Sequence, residues 1–226
     1  MALPTSYQRV TTATNYDTTG FLPYLKFDGV DDSLSTNSIS FTATDKMSVF
    51  AGVRKLSDAA AGILLEMDTA NPYISAPESA GVYGVRIGGN VGYNHATFTA
   101  PITNVISSIM DRAATTSASA ASDRFNGVIN TTSPTGTPPA GGNYANVPLY
   151  IGSRAGSSLR FNGQIYSMII VGKAVTAGEL SSTETYVATK TGVVLPVETF
   201  DFITTDAGDQ IVTDDGDSVI TDTYFA

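Results

Sequence analysis

The stretch from Leu149 to Val175, LYIGSRAGSSLRFNGQIYSMIIVGKAV, constrains the fold of this chain more than any other. Pro148 ends the segment before it, and Leu149-Tyr150-Ile151 is a short run with high β propensity. Ile165 to Val171 is apolar, rich in β-branched residues, and too short for a helix of ordinary length. We therefore predict two strands, the second of them buried at the centre of the core. The predicted core residues are Ile165, Met168, Ile170 and part of Leu149-Tyr150-Ile151.

Short apolar runs separated by turn residues precede this stretch. Met47 to Val53 alternates, which predicts a strand with one buried face. Gly88-Gly89-Asn90 tolerates positive φ and predicts a hairpin between Gly81–Ile87 and Val91–Phe98, with Arg86 facing away from Tyr83, Val85 and Ile87. Further strands are predicted at Tyr24–Phe27, Ser38–Thr42, Gly62–Met67, Val105–Asp111 and Arg124–Asn130. Such a chain, with frequent glycine and sparse charge, is typical of an all-β domain.

A single helix is predicted after this stretch, from Thr176 to Lys190. Thr176 and Glu179 have the spacing of a capping box, and Gly192 stands where a C-terminal cap belongs. The residues predicted to share its buried face are Leu180, Thr183, Tyr186 and Val187.

Four segments, in order, carry a family resemblance. They are Leu25–Leu34 (LKFDGVDDSL), Ile109-Met110-Asp111 with Arg124–Val128, Leu149–Ser153 (LYIGS), and Phe161–Leu180 (FNGQIYSMIIVGKAVTAGEL). Together they resemble the concanavalin A-like lectin/glucanase domain of the laminin-G-like type, over roughly Tyr7 to Gly192. The version is similar to those found in bacteriophage structural proteins. The resemblance implies a jelly-roll β-sandwich closed by a short helix, in a protein of the virion.

Composition changes abruptly after Pro196. From Glu198 onward there are eight acidic residues and no basic one, so most of the net charge of -9 lies in this segment. It also repeats every eight residues, as ITTDAGDQ, IVTDDGDS and VITD. We therefore divide the chain into an arm or edge strand (1–20), a sandwich (21–196) and an acidic repeat tail (197–226).

The tail is predicted to be an assembly element. Its short strands have too few large apolar side chains to fold alone, so it needs another surface, either its own sandwich, a sister chain or another virion protein. The resemblance to phage proteins favours a homotrimer; a disordered acidic tail is the alternative. The predicted assembly residues are Phe200, Phe202, Ile203, Ile211, Val219, Tyr224 and Phe225.

Catalytic and metal-binding patterns are largely missing. Glu66-Met67-Asp68 is the nearest match to the carboxylate pattern of glucanases, but no second glutamate follows, and we interpret it as a strand end with two solvated carboxylates. No cysteine is present, which excludes disulfides and thiolate metal sites. We predict no catalytic residue, no metal site and no cofactor. Calcium is conceivable at the tail or at Asp28, Asp31 and Asp32, without specific support.

The residue types in the chain also indicate which partners it can have. Basic residues are few and scattered, which argues against direct nucleic-acid binding, and no apolar run reaches the ~18 residues of a membrane span. The N-terminus lacks the apolar h-region of a Sec signal peptide, and the lack of cysteine agrees with assembly in a host cytoplasm. Aromatic and amide side chains in or near loops make the binding of host glycans the natural alternative function. The favoured interpretation of the tyrosines is that they cover the sandwich face or an interface with a neighbour, because no alternating aromatic platform is visible. The candidate sugar-binding residues are Tyr93, Asn94, His95, Asn143 and Tyr144.

These observations predict a non-catalytic virion protein built on a lectin-like sandwich, in a capsid-decoration, fibre or tail position. A host-glycan-binding adhesin is the first alternative. A glycan hydrolase is the second, and the missing acid/base pair argues against it.

Overall fold

A computed structural model of the chain describes residues 22–67, 72–87, 91–139 and 141–196, without the side chains of residues 91–96. The chain divides into two units, Met1–Pro196 and Val197–Ala226, and the fold below is that of the first. The predicted arm (1–20) and tail (197–226) lie outside the described residues, so their roles stay predictions. Within the described residues, no helix combines the length and apolar character needed to cross a bilayer.

The described chain is an all-β sandwich with one helix, as the sequence predicts. Its elements in chain order are β1 (Leu25–Asp28), β2 (Leu34–Ser35), β3 (Ile39–Ser40), β4 (Lys46–Lys55), β5 (Ile63–Met67), β6 (Tyr73–Ser79), β7 (Val82–Ile87), β8 (Val91–Thr97), β9 (Ile102–Asp111), β10 (Ala121–Phe125), β11 (Val128–Ile129), β12 (Asn146–Val147), β13 (Leu149–Ile151), β14 (Asn162–Val171) and α1 (Ala177–Thr191).

Two six-stranded antiparallel sheets form the sandwich. Sheet A has the order β1-β14-β4-β9-β10-β11, and sheet B has the order β2-β13-β5-β6-β7-β8. Strands from the two ends of this unit pair with each other, β1 with β14, β2 with β13, and β3 with β12 in a small separate sheet. The order is not the sequence order, as expected of a jelly roll, in which long connections cross between sheets.

The core lies between the sheets, and its centre is β4 rather than β14. Met47, Val49, Ala51 and Val53 of β4 all face the core and are buried. Ile165 and Leu149 are buried as predicted, whereas Met168, Ile170 and Ile151 are only partly buried. The prediction failed there because β14 lies second from the edge of sheet A, where the sandwich opens to solvent.

Helix α1 covers the outer face of sheet A. Thr176 caps it, accepting from the Glu179 backbone, while Glu179 Oε2 accepts the Thr176 N–H at 2.9 Å; Gly192 ends it at φ 73°. Val187 and Ala188 pack against Phe50 and Val105 of the sheet. Strand β4 is therefore buried on both faces, not on one as its alternation predicts.

The buried side of α1 agrees with the prediction at Val187, which is buried, and at Leu180, which packs against the same cluster, but not at Tyr186. Tyr186 is 52% exposed, and Glu184 and Thr191 are buried in its place. Thr191 needs a glycine opposite it, because a Cβ on Gly52 would lie 1.9 Å from Thr191 Oγ1. Glu184 is accommodated because its Oε1 accepts from Arg124 Nε on β10 at 2.9 Å.

The predicted hairpins form. The structure also has strands that the sequence pattern does not predict, among them β11 and β6. Strands β7 and β8 pair from Ile87 and Val91 onward, and β9 pairs with β10. The predicted strand Arg124–Asn130 is broken by Asn126-Gly127, where φ values of 51° and 80° make a two-residue turn into β11. Strand β6 is not predicted at all, because Pro77 interrupts its pattern.

A buried lysine ties the two sheets together at one end. Lys55, at the end of β4, is fully buried, and its Nζ donates to the carbonyls of Gly81 (2.8 Å) and Phe98 (2.5 Å) next to sheet B. The carboxylate of Asp58 lies 2.5 Å away and balances its charge. Burial of this charge is tolerated because each contact is a charge-assisted hydrogen bond or ion pair.

Candidate functional site

A row of polar and aromatic residues crosses the outer face of sheet B. Backbone register pairs Tyr150 with Glu66, Glu66 with Tyr73, and Tyr73 with Arg86. Directly paired residues on neighbouring strands share one face of a sheet. Their neighbours in sequence, such as Leu65, Ile74 and Val85, belong to the core on the opposite face. The row therefore faces away from the core, as predicted for Arg86.

Glu66 anchors this face. Its side chain is fully buried; its Oε1 accepts from Arg154 Nε at 3.2 Å, and its Oε2 accepts the backbone N–H of Ala155 at 2.7 Å. The loop from Gly152 to Ser158 is thereby held against sheet B. The interpretation of Glu66 as a solvated strand-end carboxylate is wrong, because this loop covers it; Asp68 lies outside the described residues.

Tyr73 packs against two guanidinium groups. The Cζ of Arg154 is 4.9 Å and the Cζ of Arg86 is 6.0 Å from the centroid of its ring. Both distances are within the range of cation–π attraction. The ring is nearly buried, while the arginine side chains are 35% and 41% exposed. The solvent-facing groups at this point of sheet B are therefore guanidinium groups, positioned by an aromatic ring.

A second glutamate flanks Arg86. Glu78 Oε2 accepts from Ser75 Oγ at 2.6 Å, and Glu78 Oε1 lies 3.7 Å from Arg86 Nη2. This placement requires Gly84, since a Cβ there would come within 2.9 Å of Glu78 Cβ and 2.5 Å of Ser75 Oγ. We call Glu66, Tyr73, Glu78, Arg86 and Arg154 the sheet B face. Sequence reasoning missed it because the cross-strand register that assembles it is not readable from the chain.

A separate cleft opens at the edge of the sandwich, between β1 and β14 of sheet A and β2 and β13 of sheet B. It has a volume of about 340 Å³. Tyr24 and Tyr166 meet edge to face in it, with ring centroids 5.5 Å apart. Burial raises the pKa of the Tyr166 hydroxyl, which donates to Gln164 Oε1 at 2.9 Å. The remaining lining is mainly apolar, from Pro23, Leu25, Leu34, Ile151, Ile165 and Met168.

The five predicted sugar-binding residues occupy two places. Tyr93, Asn94 and His95 lie on β8, the edge strand of sheet B, where backbone register pairs Asn94 with Gly84; their side chains are outside the described residues. Asn143 is exposed and donates Nδ2 to the Thr42 carbonyl at 2.7 Å. Tyr144 is only 2% exposed, so its ring is not available to stack on a sugar. Burial also raises the pKa of its hydroxyl.

The three aspartates proposed for calcium do come together. Carboxylate oxygens of Asp28, Asp31 and Asp32 lie within 4.8 Å of one another. Two of them serve the turn itself, since Asp32 Oδ2 accepts the Asp28 N–H at 3.0 Å and Asp28 Oδ1 accepts the Val30 N–H at 2.7 Å. The cluster is accounted for as turn chemistry, so it adds no specific support for calcium.

One carboxyl group lies inside the sandwich. Asp123 of β10 pairs with Ser108 of β9 on the core-facing side of sheet A, and it is 1% exposed. Burial raises the pKa of Asp123 to about 7, and the nearby Ser108 hydroxyl opposes the rise. Because solvent does not reach this group, we expect it to affect the stability of the fold and its pH dependence rather than binding.

The predicted assembly residues Phe200, Phe202, Ile203, Ile211, Val219, Tyr224 and Phe225 all lie outside the described residues. Their role in assembly therefore remains a prediction from the repeat pattern.

No protein-family model matches the chain, and no curated protein matches it significantly. Several solved structures share its fold. Trypanosoma rangeli sialidase in complex with sialic acid matches at a TM-score of 0.54 and 14% identity, over 76% of this chain and 28% of the sialidase. A heptameric SAP-like pentraxin from Limulus polyphemus matches at 0.52 and 10%, over 70% and 80% of the two chains.

The binding domain of botulinum neurotoxin serotype G matches at a TM-score of 0.52 and 11% identity, over 72% of this chain and 42% of that chain. The chain thus spans about a quarter of the sialidase, 28% of its length. At these identities the similarity concerns the fold alone. It confirms the predicted jelly-roll-like β-sandwich and leaves the bacteriophage part of the resemblance without a counterpart.

Proposed function

We propose that this chain is a non-catalytic, lectin-like module that binds glycans on the sheet B face. The observation that carries the proposal is the pair of partly exposed guanidinium groups over Tyr73, with Glu78 beside them. Sugar hydroxyls donate and accept hydrogen bonds, and charged donors and acceptors make the stronger ones. A face with fixed donors and a fixed acceptor therefore suits a saccharide.

The fold similarity supports the same class of ligand. One of the similar structures is a sialidase in complex with sialic acid, and another is a botulinum neurotoxin DC binding domain in complex with SialylT, at a TM-score of 0.52 and 8% identity. β-Sandwiches of this shape can thus be parts of proteins that bind sugars.

The state of Glu66 supports binding without hydrolysis. Glycosidases need one carboxyl group free to donate a proton and another free to attack the sugar or a water. Both oxygens of Glu66 instead accept hydrogen bonds that hold the loop at Arg154 and Ala155. We expect no product release from glycan substrates, and no difference between the wild type and Glu66→Gln in such an assay.

The proposal also covers where the protein acts. The resemblance to phage domains and the repeat tail support a virion protein, in a capsid-decoration, fibre or tail position, that contacts sister chains or other virion proteins as a homotrimer. Locating the chain in intact particles, for example by labelling followed by electron microscopy, tests this setting. A chain found outside the particle contradicts it.

Glycan binding is tested with a glycan array. The wild type should bind a defined set of glycans, and the double variant Glu78→Gln/Arg86→Gln should lose most of that signal. Lys190→Gln is the control, because it removes a cation over a tyrosine, Tyr186, on α1, which packs against sheet A instead. Absence of any glycan signal for the folded wild type contradicts the proposal.

A further inference from the structure

We infer that the sheet B face selects glycans that carry an anionic group, a carboxylate or a sulfate. This inference rests on the proposed glycan-binding function and names the ligand class of the same site. Three observations lead to it, and each concerns the two arginines of this face.

The first observation is that Arg86 and Arg154 have N–H donors that make no hydrogen bond among the described residues. Arg154 uses Nε for Glu66, and no hydrogen bond among the described residues uses its terminal amino groups. The Arg86 contact with Glu78, at 3.7 Å, is longer than a hydrogen bond. A guanidinium group has five N–H donors in a planar fork that matches carboxylate-type oxygens. Both arginines therefore keep donors free for an anion.

The second observation is the order of charge from the interior outward. Glu66 is fully buried, whereas its partner Arg154 is 35% exposed. Glu78 is 26% exposed and its partner Arg86 is 41% exposed. Each ion pair thus places its positive member nearer to solvent. An approaching ligand meets the guanidinium groups first, although each pair is neutral as a whole.

The third observation is that both guanidinium groups pack against the ring of Tyr73. Both guanidinium carbons lie within 6.0 Å of the same ring centroid. Holding two flexible arginines in place reduces the entropy lost when a ligand binds. A carboxylate or sulfate on a sugar is small enough to be recognised by either of these positioned guanidinium groups.

The small number of cations on the sheet B face favours a single anionic group over a larger polyanion such as nucleic acid. Nucleic-acid binding depends on many clustered Lys and Arg side chains, and this face contributes two, in a chain with a formal net charge of -9. One local anionic group needs only one such guanidinium group, whereas a continuous polyanion needs many cations along its length.

The test compares three ligands on one scaffold: sialyllactose, sulfated lactose and lactose. Isothermal titration of the full chain should give affinities for both anionic ligands about 10-fold or more above that for lactose, the scale of a charge-assisted hydrogen bond. Those two affinities should fall as NaCl is raised, and the lactose affinity should not. Comparison of the affinities for sialyllactose and sulfated lactose shows whether the site prefers a carboxylate or a sulfate.

Variants then assign the selectivity to the arginines. Arg86→Gln should weaken both anionic ligands about 10-fold and lactose less than about 2-fold. Lys190→Gln, with the same change in net charge, should leave all three affinities unchanged. Arg86→Lys keeps the charge without the fork and should give an intermediate affinity, which covers the case in which Arg86→Gln folds poorly. For Arg154 the variant is Arg154→Gln/Glu66→Gln, because Arg154→Gln alone would leave a buried carboxylate unpaired.

The outcomes separate the two proposals. Equal affinities for lactose and its anionic forms, or equal losses for all three in Arg86→Gln, overturn anion selection while glycan binding stands. Lack of binding to these three ligands together with a silent glycan array overturns both.

Discussion

Asp123 is a carboxyl group that is buried in the core on folding. The effect of this burial on the free energy of unfolding depends on pH. An aspartate in an unfolded chain has a pKa near ~3.9, and burial raises the pKa of Asp123 to about 7. Between those values the folded protein holds a proton that the unfolded chain has released. The stability contribution of this group is therefore largest below pH ~4 and is lost as pH rises toward ~7.

The variant Asp123→Asn removes this titration. We expect its unfolding free energy to change less between pH 5 and pH 8 than that of the wild type, and to exceed the wild-type value at pH 8 by about 2 to 4 kcal/mol. Urea unfolding at the two pH values measures both quantities. Parallel changes in the two proteins would show that Asp123 is charged in the fold at pH 5.

Arg154 stabilises the fold through the glutamate beneath it. Arg154→Ala should cost about 3 kcal/mol, near the low end for a broken buried ion pair, because Glu66 is left buried while Arg154 is itself partly exposed. Arg154→Met/Glu66→Gln should recover most of that loss, since no buried charge remains. Thermal melts of the three proteins check this, and equal losses for the single and double variants would contradict it.

At the residue scale, sequence locates the functional side chains only in part. Alternation places Arg86 on the outer face of its strand, because the period of a strand is two. It does not bring Arg86 beside Tyr73 and Arg154, because that depends on register across three elements. Tyr144 shows the converse: a tyrosine in a loop-rich, polar segment is buried by contacts distant in sequence.

At the element scale, helix α1 is the best-predicted feature because its signals are local. Both hydrogen bonds of the Thr176–Glu179 capping box are present. Thr176→Ala should therefore lower stability by about 1 kcal/mol. Thr189→Ala is the matched control, since Thr189 is an exposed threonine within the same helix, and alanine there should be neutral or slightly stabilising. Equal melting temperatures for wild type and Thr176→Ala would argue against the cap.

The close packing of α1 on sheet A depends on Gly52. Gly52→Ala places a methyl group against Thr191 Oγ1 and should cost about 1 to 3 kcal/mol through overpacking. Gly52→Ala/Thr191→Ala should regain part of that loss. Gly178→Ala is the control, because nothing lies within 4 Å of its added methyl group. Denaturant unfolding compares the four proteins, and a neutral Gly52→Ala would mean that the helix shifts freely.

The buried face of α1 shows where local signals fail. Periodicity places Tyr186 with Val187 on the buried side, but only Val187 is buried there, and Glu184 and Thr191 are buried in addition. Glu184 is tolerated because Arg124 lies on the strand below it, and Thr191 because Gly52 leaves room. Neither reason is visible within the helix sequence.

At the scale of the whole molecule, the sandwich core forms within residues 22–196. Deleting Phe200 to Ala226 should therefore leave a folded sandwich, and under the assembly proposal it should be monomeric or fail to join particles. Circular dichroism reports the fold, and analytical ultracentrifugation reports the oligomeric state. A truncated chain that sediments and incorporates like the full chain would show that the tail is not the assembly element.

The pairing of β1 with β14 has a consequence for how this protein is made. Strand β14 lies between β1 and β4 in sheet A, so a nascent chain that has not reached Val171 has a gap there, with two unpaired strand edges facing it. Such edges readily pair with other chains. Contacts between such distant parts of the sequence also slow folding. The sandwich thus closes late in synthesis, and the exposed interval before closure is the period in which the chain most needs protection from aggregation.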